Sequence, residues 1–258
     1  MTRENMGIEH KGMVKSDETL FAIIESLKET NGAGVTELAN RLGLSKSAVH
    51  KHLNTMAEHG YAVKKGEQYH IGLRFLSHGE YALNQYEVYH AAKPILQEVT
   101  DETGEMSWLF TEENGRGVFL EGVVSEGGIN RESILGSRFY LHSTAGGKAI
   151  LSEMTRDEVT AIIERHGLPE RAGNTITDEE ALFEELAEIR ERGYATNFQE
   201  NQEGVHAIAV PISVDGDIHG SIVLSGAAHR ITQARCEDEL SGVLLAAAND
   251  IELNLVYQ

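Results

Sequence analysis

Apolar residues recur at Leu20, Ile23, Ile24 and Leu27 within residues 17–30, the i, i+3, i+4, i+7 stripe of an amphipathic helix, and Asn31-Gly32-Ala33-Gly34 ends it. A second short helix is expected over 36–42, with Thr36 as N-cap, Leu38, Ala39 and Leu42 facing inward, and Gly43 at the left-handed C′ position. A third runs over 46–59, capped by Ser45 and stopped by Gly60. Residues 61–71 then read as two short strands around a Lys65-Gly66 turn. Three helices and a hairpin, with the tight corner Gly43-Leu44 between helices two and three, form the pattern of a winged helix-turn-helix.

Residues 73–92 return to a helical pattern (Leu73, Leu76, Leu83, Tyr86, Tyr89), and Pro94 is placed as the first residue of another helix, 94–103. Strands are expected at Ser107–Thr111 and Val118–Val124, joined through Asn114-Gly115, and a third at Ile134–Leu141. Helices follow at 145–153 and 156–166, and Thr177-Asp178-Glu179-Glu180 reads as a capping box opening a helix to Arg192. Strands Tyr194–Gln199, Val205–Ile212 and Ile218–Ser225, the last two joined at Asp215-Gly216, lead to a final helix over 232–253. Consecutive hairpins with helices grouped around them predict an α+β class: an antiparallel sheet with helices on its faces. The domains read as a winged helix-turn-helix over 16–72, a linker helix over 73–92 and an effector-binding domain over 93–258.

Charge sharpens the division. Residues 1–75 hold ten Lys/Arg and nine Asp/Glu, whereas 76–258 hold 12 and 32, for a net charge of −19 overall. A near-neutral head on a very acidic body leaves nucleic-acid binding open for the head alone. The acidity reads either as a solvated surface or as adaptation to a high-salt cytoplasm, as in a halophile. Met1–Ser16 has no apolar core of a signal peptide, and no apolar run approaches the ~20 residues that span a bilayer. One cysteine, Cys236, cannot form an intrachain disulfide. A cytoplasmic protein with no membrane partner is expected.

The third helix carries the chemistry of a DNA-reading element. Val49, Leu53 and Met56 share one face, and the opposite face holds Lys46, Ser47, His50, Lys51 and Asn54. Cations and hydroxyls contact phosphate, while amide and basic groups reach base edges in the major groove. Lys64 and Lys65 sit where a wing touches the backbone, and Thr36 and Ser45 complete the set of DNA-binding candidates. His50 and His52 are two apart and do not face each other on a helix, which argues against a metal.

In the second part, Leu141-His-Ser-Thr-Ala-Gly-Gly-Lys-Ala149 turns a strand end into a helix through small residues, where free N–H groups favour a carboxylate or phosphate. It is not a P-loop, which needs Gly at 142 and Ser/Thr at 149. Arg192–Ile212 reads as strand, polar loop, strand.

These stretches, with Leu44-Ser-Lys-Ser-Ala-Val-His50, Arg192-Gly-Tyr194, Glu203-Gly204, Ala207-Ile-Ala-Val-Pro211 and Ser221-Ile-Val-Leu-Ser-Gly226, resemble the IclR family of transcription regulators in order and spacing over nearly the whole chain. The resemblance implies a GAF-like effector domain, a homodimer or homotetramer, a double-stranded DNA operator, and control by a small metabolite, often an organic acid. It places the effector site on Phe139, Ala145, Gly146, Asn197, Val205, Ala207, Val223 and Ser225. At 197 and 223 the chain has an amide and an aliphatic, where members binding small keto acids tend to carry an acid and a hydroxyl. No G-x-S-x-G, H-E-x-x-H or G-x-G-x-x-G marks a catalytic or cofactor site, so no catalytic residue, metal or cofactor is expected. The competing classes are an enzyme, separated by turnover, and an effector-free architectural DNA-binding protein, separated by a filled core without a cavity.

Overall fold

A computed structural model describes residues 12–124 and 131–257. The signal-peptide reading of residues 1–16 therefore lies, through residue 11, outside the described residues. The chain divides into two compact units at the Ala82/Leu83 boundary.

The first unit holds α1 (Lys15–Glu29), α2 (Val35–Leu42), α3 (Lys46–Glu58), the antiparallel hairpin β1 (Ala62–Lys65) and β2 (Gln68–Ile71), and most of α4 (Arg74–Leu83). Ile23, Leu27, Leu38, Val49, Leu53, Met56 and Tyr69 close one core. Gly43, at φ 66°, makes the left-handed corner between α2 and α3, a conformation that costs a side-chain-bearing residue. Thr36 does not cap α2. Gly34 is the N-cap and Thr36 lies inside the first turn, because Ala33 is tied in both directions to the Tyr69 backbone and the helix starts as soon as that bridge ends.

The second unit is a three-layer α+β domain. Its sheet has the order β5-β4-β3-β8-β7-β6, every neighbour antiparallel: β3 (Met106–Glu113), β4 (Arg116–Val123), β5 (Arg138–Tyr140), β6 (Ala195–Phe198), β7 (Val205–Val214) and β8 (Asp217–Ala227). One face packs on α5 (Glu87–Thr103) and α10 (Ser241–Val256), through Ile95, Leu96, Leu109, Ile222, Leu224 and Leu244. The other packs on α6 (Ala145–Glu153), α7 (Arg156–His166) and α8 (Glu179–Arg192), through Trp108, Phe110, Ile150, Leu182 and Leu186. Period-two alternation on β3 sends Trp108 and Phe110 to one face and Leu109 to the other. The two strand turns adopt left-handed backbone at Asn114-Gly115 and Asp215-Gly216, the geometry that Asn-Gly and Asp-Gly favour.

Several expected elements change. The single helix over 73–92 is two: α4 ends at Leu83, and Tyr86, extended, opens α5. Pro94 lies inside α5 rather than at a helix start. It sits on the exposed side, and the buried stripe Val88, Ala91, Ala92, Ile95, Leu96, Val99 runs unbroken past it, which outweighs one lost backbone hydrogen bond. The strand placed over 134–141 shrinks to Arg138–Tyr140, because Ile134 turns back onto the Arg131 carbonyl and packs against the α6–α8 core. The capping box at 177–180 is absent: Asp178 is the cap of α8 and accepts from Ala181, so Glu180 is one residue short of the reciprocal position and pairs with Arg156 instead. A capping box does occur at Thr155 and Glu158, opening α7. The final helix is α9 (Gln233–Arg235), a π-helical turn at Cys236–Leu240, and α10.

Candidate functional site

In the first unit, Ser45 caps α3 by accepting from the Ala48 amide, and Val49, Leu53 and Met56 anchor the helix in the core. That leaves Lys46, Ser47, His50, Lys51 and Asn54 exposed on one continuous face with no carboxylate among them. Lys64 and Lys65 are exposed on β1, and Thr36 is exposed on α2. Asn54 is already engaged: its amide nitrogen lies 3.3 Å from His50 Nδ1 and its oxygen 3.5 Å from the Tyr69 hydroxyl.

In the second unit, all eight effector candidates line one cavity of about 320 Å³. The sheet supplies the floor through Val205 and Ala207 of β7, Val223 and Ser225 of β8, and Asn197 of β6. Strand register explains the grouping: Ala207 pairs with Asn197 on one side and Ser225 on the other, and Val223 pairs with Trp108. Trp108, Phe119 and Phe139 form an aromatic wall in edge-to-face contact, with centroids 5.3 and 5.2 Å apart. Ala145 and Gly146 open α6 at the rim, where the first amides of a helix have no intrahelical acceptor. The third, of Gly147, is taken by the Thr144 hydroxyl at 3.1 Å.

Among the described residues no side chain lining this cavity is charged. Its polar side chains are Ser133, Thr144, Asn197, Asn201, Gln202 and Ser225, and Ala145 and Gly146 of the first turn of α6 also line it. Ser225 Oγ accepts from the Trp108 indole at 2.9 Å, a contact that does not use the hydroxyl's own proton.

Two of the expected site residues also hold the fold together. Asn197 lines the cavity and is buried, donating to the Ser143 carbonyl and accepting from the Glu200 amide, which uses one of its two N–H groups and one of its oxygen lone pairs. A Cβ at Gly146 would meet Phe110, Ser221 and Val223 at 2.9 Å, so this glycine lets α6 lie against the sheet. Trp108, Phe119, Thr144, Ser133, Ile134, Asn201 and Gln202 also line the cavity and were not read from the sequence. The alternation of β3 and β4 points to Trp108 and Phe119; the loop residues carry no comparable signal.

A second cavity, about 350 Å³, runs past the free edge of β6; its two cations are paired with Glu185 and Glu200, and Glu237 adds a further carboxylate. Lys148, 1% exposed, pairs with Glu200 at 2.8 Å and Glu185 at 3.4 Å, and Arg192 also pairs with Glu185. Burial raises the Glu200 carboxyl above its usual range against the pull of Lys148. Cys236 at this cavity is pushed up to about 11 by burial, which leaves a protonated thiol of low reactivity at neutral pH. Among the described residues no cluster of His, Cys, Asp and Glu could hold a metal ion, and no helix is long and apolar enough to cross a membrane.

A winged helix-turn-helix with a cationic third helix, in one chain with a sheet domain enclosing a ligand-sized cavity, defines a ligand-responsive DNA-binding regulator. Comparison with known proteins specifies the class. Residues 19–66 match the IclR helix-turn-helix domain and residues 80–253 the bacterial transcriptional regulator IclR C-terminal domain. The chain is 31% identical to the transcriptional regulator KdgR of Escherichia coli, over 95% of this chain and 94% of that one. Among solved structures, the Thermotoga maritima IclR matches with a TM-score of 0.78 at 30% identity, over 93% of this chain and 97% of that one. An IclR homologue from Microbacterium hydrocarbonoxydans, complexed with 4-hydroxybenzoate, shares the fold with a TM-score of 0.76 at 20% identity, over 93% and 100%. The chain belongs to the IclR family of bacterial transcriptional regulators. Its matched families and relatives are regulators rather than enzymes.

Proposed function

We propose that this regulator acts in the cytoplasm as a homodimer or homotetramer, reads a pseudo-palindromic operator through α3 and the β1–β2 wing, and releases or engages it when a carboxylate with an apolar body fills the 320 Å³ cavity. The observation that carries the effector assignment is an aromatic-walled cavity with no charged side chain among the described residues lining it, at which the first turn of α6 begins. Such a site rewards a ligand with one anionic end and an apolar body. The 4-hydroxybenzoate bound by the Microbacterium homologue is a molecule of that shape. In this reading the first amides of α6, the Ser225 hydroxyl and the Asn197 amide supply the polar contacts, with Phe139, Val205, Ala207 and Val223 as walls.

The oligomer is supported within the first unit by Phe21, Leu73 and Leu76, which are 63%, 86% and 62% exposed. Exposed large apolar side chains, where they join in one patch, mark a surface that a partner covers. Two-fold proteins in turn read two-fold sites.

The test is operator binding by fluorescence anisotropy against aryl and alkyl carboxylates and their uncharged amides. A carboxylate that shifts operator affinity while its amide does not supports the reading. If every compound that shifts affinity is uncharged, the amides of α6 do not recognise the effector.

A further inference from the structure

On α3, His50 and Asn54 are one turn apart, and the two side chains meet: Asn54 Nδ2 lies 3.3 Å from His50 Nδ1. The Asn54 oxygen is in turn 3.5 Å from the Tyr69 hydroxyl. Tyr69 is the fixed end of this chain. It is 4% exposed, its ring packs in the core of the first unit, and its backbone is bonded to Ala33 through both N–H and C=O. Of the three residues only His50 and Asn54 are exposed, on the same face as Lys46 and Lys51.

Hydrogen-bond direction follows from the fixed end. The Tyr69 hydroxyl donates to the Asn54 oxygen, which turns the Asn54 amide nitrogen toward His50. An N–H donor facing Nδ1 requires a lone pair there, so the neutral imidazole carries its proton on Nε2. Nε2 is then the protonated nitrogen of an exposed side chain.

We infer that His50 is a base-selecting residue held in its Nε2–H tautomer by Asn54 and Tyr69. It selects an operator position that offers a major-groove acceptor: O6 or N7 of guanine, N7 of adenine, or O4 of thymine. It discriminates against cytosine, whose major-groove edge offers only an exocyclic amino donor. Asn54 and Tyr69 are positioning residues in this scheme and contribute through the proton they assign. The inference rests on α3 being the reading helix.

The test uses the full-length protein and separates those two layers. Operators are first selected from a random duplex library. Long-range 1H–15N correlation spectra of 15N-histidine-labelled protein at alkaline pH then report the tautomer of His50, assigned with His50→Gln. Wild type is expected to show a protonated Nε2 and an unprotonated Nδ1. Asn54→Asp places an acceptor-only group beside Nδ1 and should move the proton to Nδ1, leaving Nε2 as an acceptor. Tyr69→Phe keeps the packing and should give a mixture.

In binding, the ratio of affinities for an acceptor and a donor base at the His50 position should fall by about two- to tenfold in Asn54→Asp, the worth of one hydrogen bond. The ratio cancels the uniform repulsion of the new carboxylate for phosphate. A wild-type His50 protonated on Nδ1, or an unchanged ratio in Asn54→Asp despite an inverted tautomer, overturns the proposal and leaves the reading helix in place. If Lys46→Ala and Lys51→Ala both bind selected operators like wild type, the reading-helix assignment fails, and the proposal falls with it whatever the tautomer.

Discussion

The Trp108 indole N–H donates to the Ser225 hydroxyl at 2.9 Å, linking the cavity's aromatic wall to its floor from the neighbouring strands β3 and β8. In the proposed effector site Ser225 would then have two roles, accepting from the protein and donating to the ligand. Ser225→Ala should leave the indole N–H without a partner and cost about 1–3 kcal/mol of stability, with a loss of effector affinity of roughly tenfold. Urea denaturation and titration calorimetry measure the two effects. An unchanged affinity in a destabilised protein would confine Ser225 to the structural role.

Gly146 and Ala207 should respond oppositely to added bulk. At Gly146 a Cβ meets three side chains of the sheet at 2.9 Å, so Gly146→Ala should destabilise by about 1–3 kcal/mol through overpacking. Ala207 is only half-buried and faces the cavity. Ala207→Leu should fill part of that space, weakening effector binding by more than tenfold while the denaturation midpoint moves little. Equal destabilisation by both would mean that Ala207 is packed as tightly as Gly146.

The two substitutions also mark what the sequence discloses. The turns Asn114-Gly115 and Asp215-Gly216, the Ser45 cap and the two-sided pattern of α3 are decided by residues within a few positions of each other, and all were legible. So was the grouping of the eight cavity residues, through the family resemblance. The packing roles of Gly146 and Asn197 were not legible, because Gly146 meets Phe110, Ser221 and Val223, which are 36, 75 and 77 residues away in the chain, and Asn197 donates to Ser143, 54 residues away. The start of α2 was misplaced for the same reason: the bridge from Ala33 to Tyr69 overrides the capping preference of Thr36. The break between α4 and α5 follows from which stripe finds a sheet to bury against, and periodicity alone gives the stripe without its partner.

Lys46→Ala and Lys51→Ala should each weaken operator binding about equally for all sequences. Each removes one phosphate contact, so the slope of log affinity against log salt should fall in magnitude by about 0.9. Anisotropy titrations between low and physiological salt give the slopes. A variant with normal slope but altered sequence preference would show that its lysine reads a base edge.

The acidic body predicts a salt requirement. Residues 76–258 carry 32 Asp/Glu against 12 Lys/Arg, and dilute buffer leaves that charge self-repelling. Thermal melts in KCl should rise from millimolar to molar salt, by screening. A melting temperature indifferent to KCl would remove the high-salt reading and leave the acidity as ordinary surface solvation.

The buried Lys148–Glu200 pair fastens α6 to the loop that carries Asn201 and Gln202, and so ties two sides of the effector cavity together. Lys148→Met removes the cation and leaves Glu200 buried without its partner, a change that costs about 3–5 kcal/mol. The pH dependence identifies the cause. Glu200 is raised above the ordinary 4.5 by burial even with Lys148 present, so the folded state takes up its proton more readily than the unfolded state. Its ionised form is therefore a burden above the folded pKa, and stability is recovered as pH falls through that value. Without Lys148 the burden is larger and the window lies higher. The deficit of Lys148→Met relative to wild type should shrink as pH falls from about 7 toward 5, and Lys148→Met with Glu200→Gln should remove most of it at neutral pH. Denaturation midpoints across that range make the comparison. A deficit constant with pH and unrelieved by Glu200→Gln would mean that lost packing around the lysine stem, and not the stranded carboxylate, accounts for the damage.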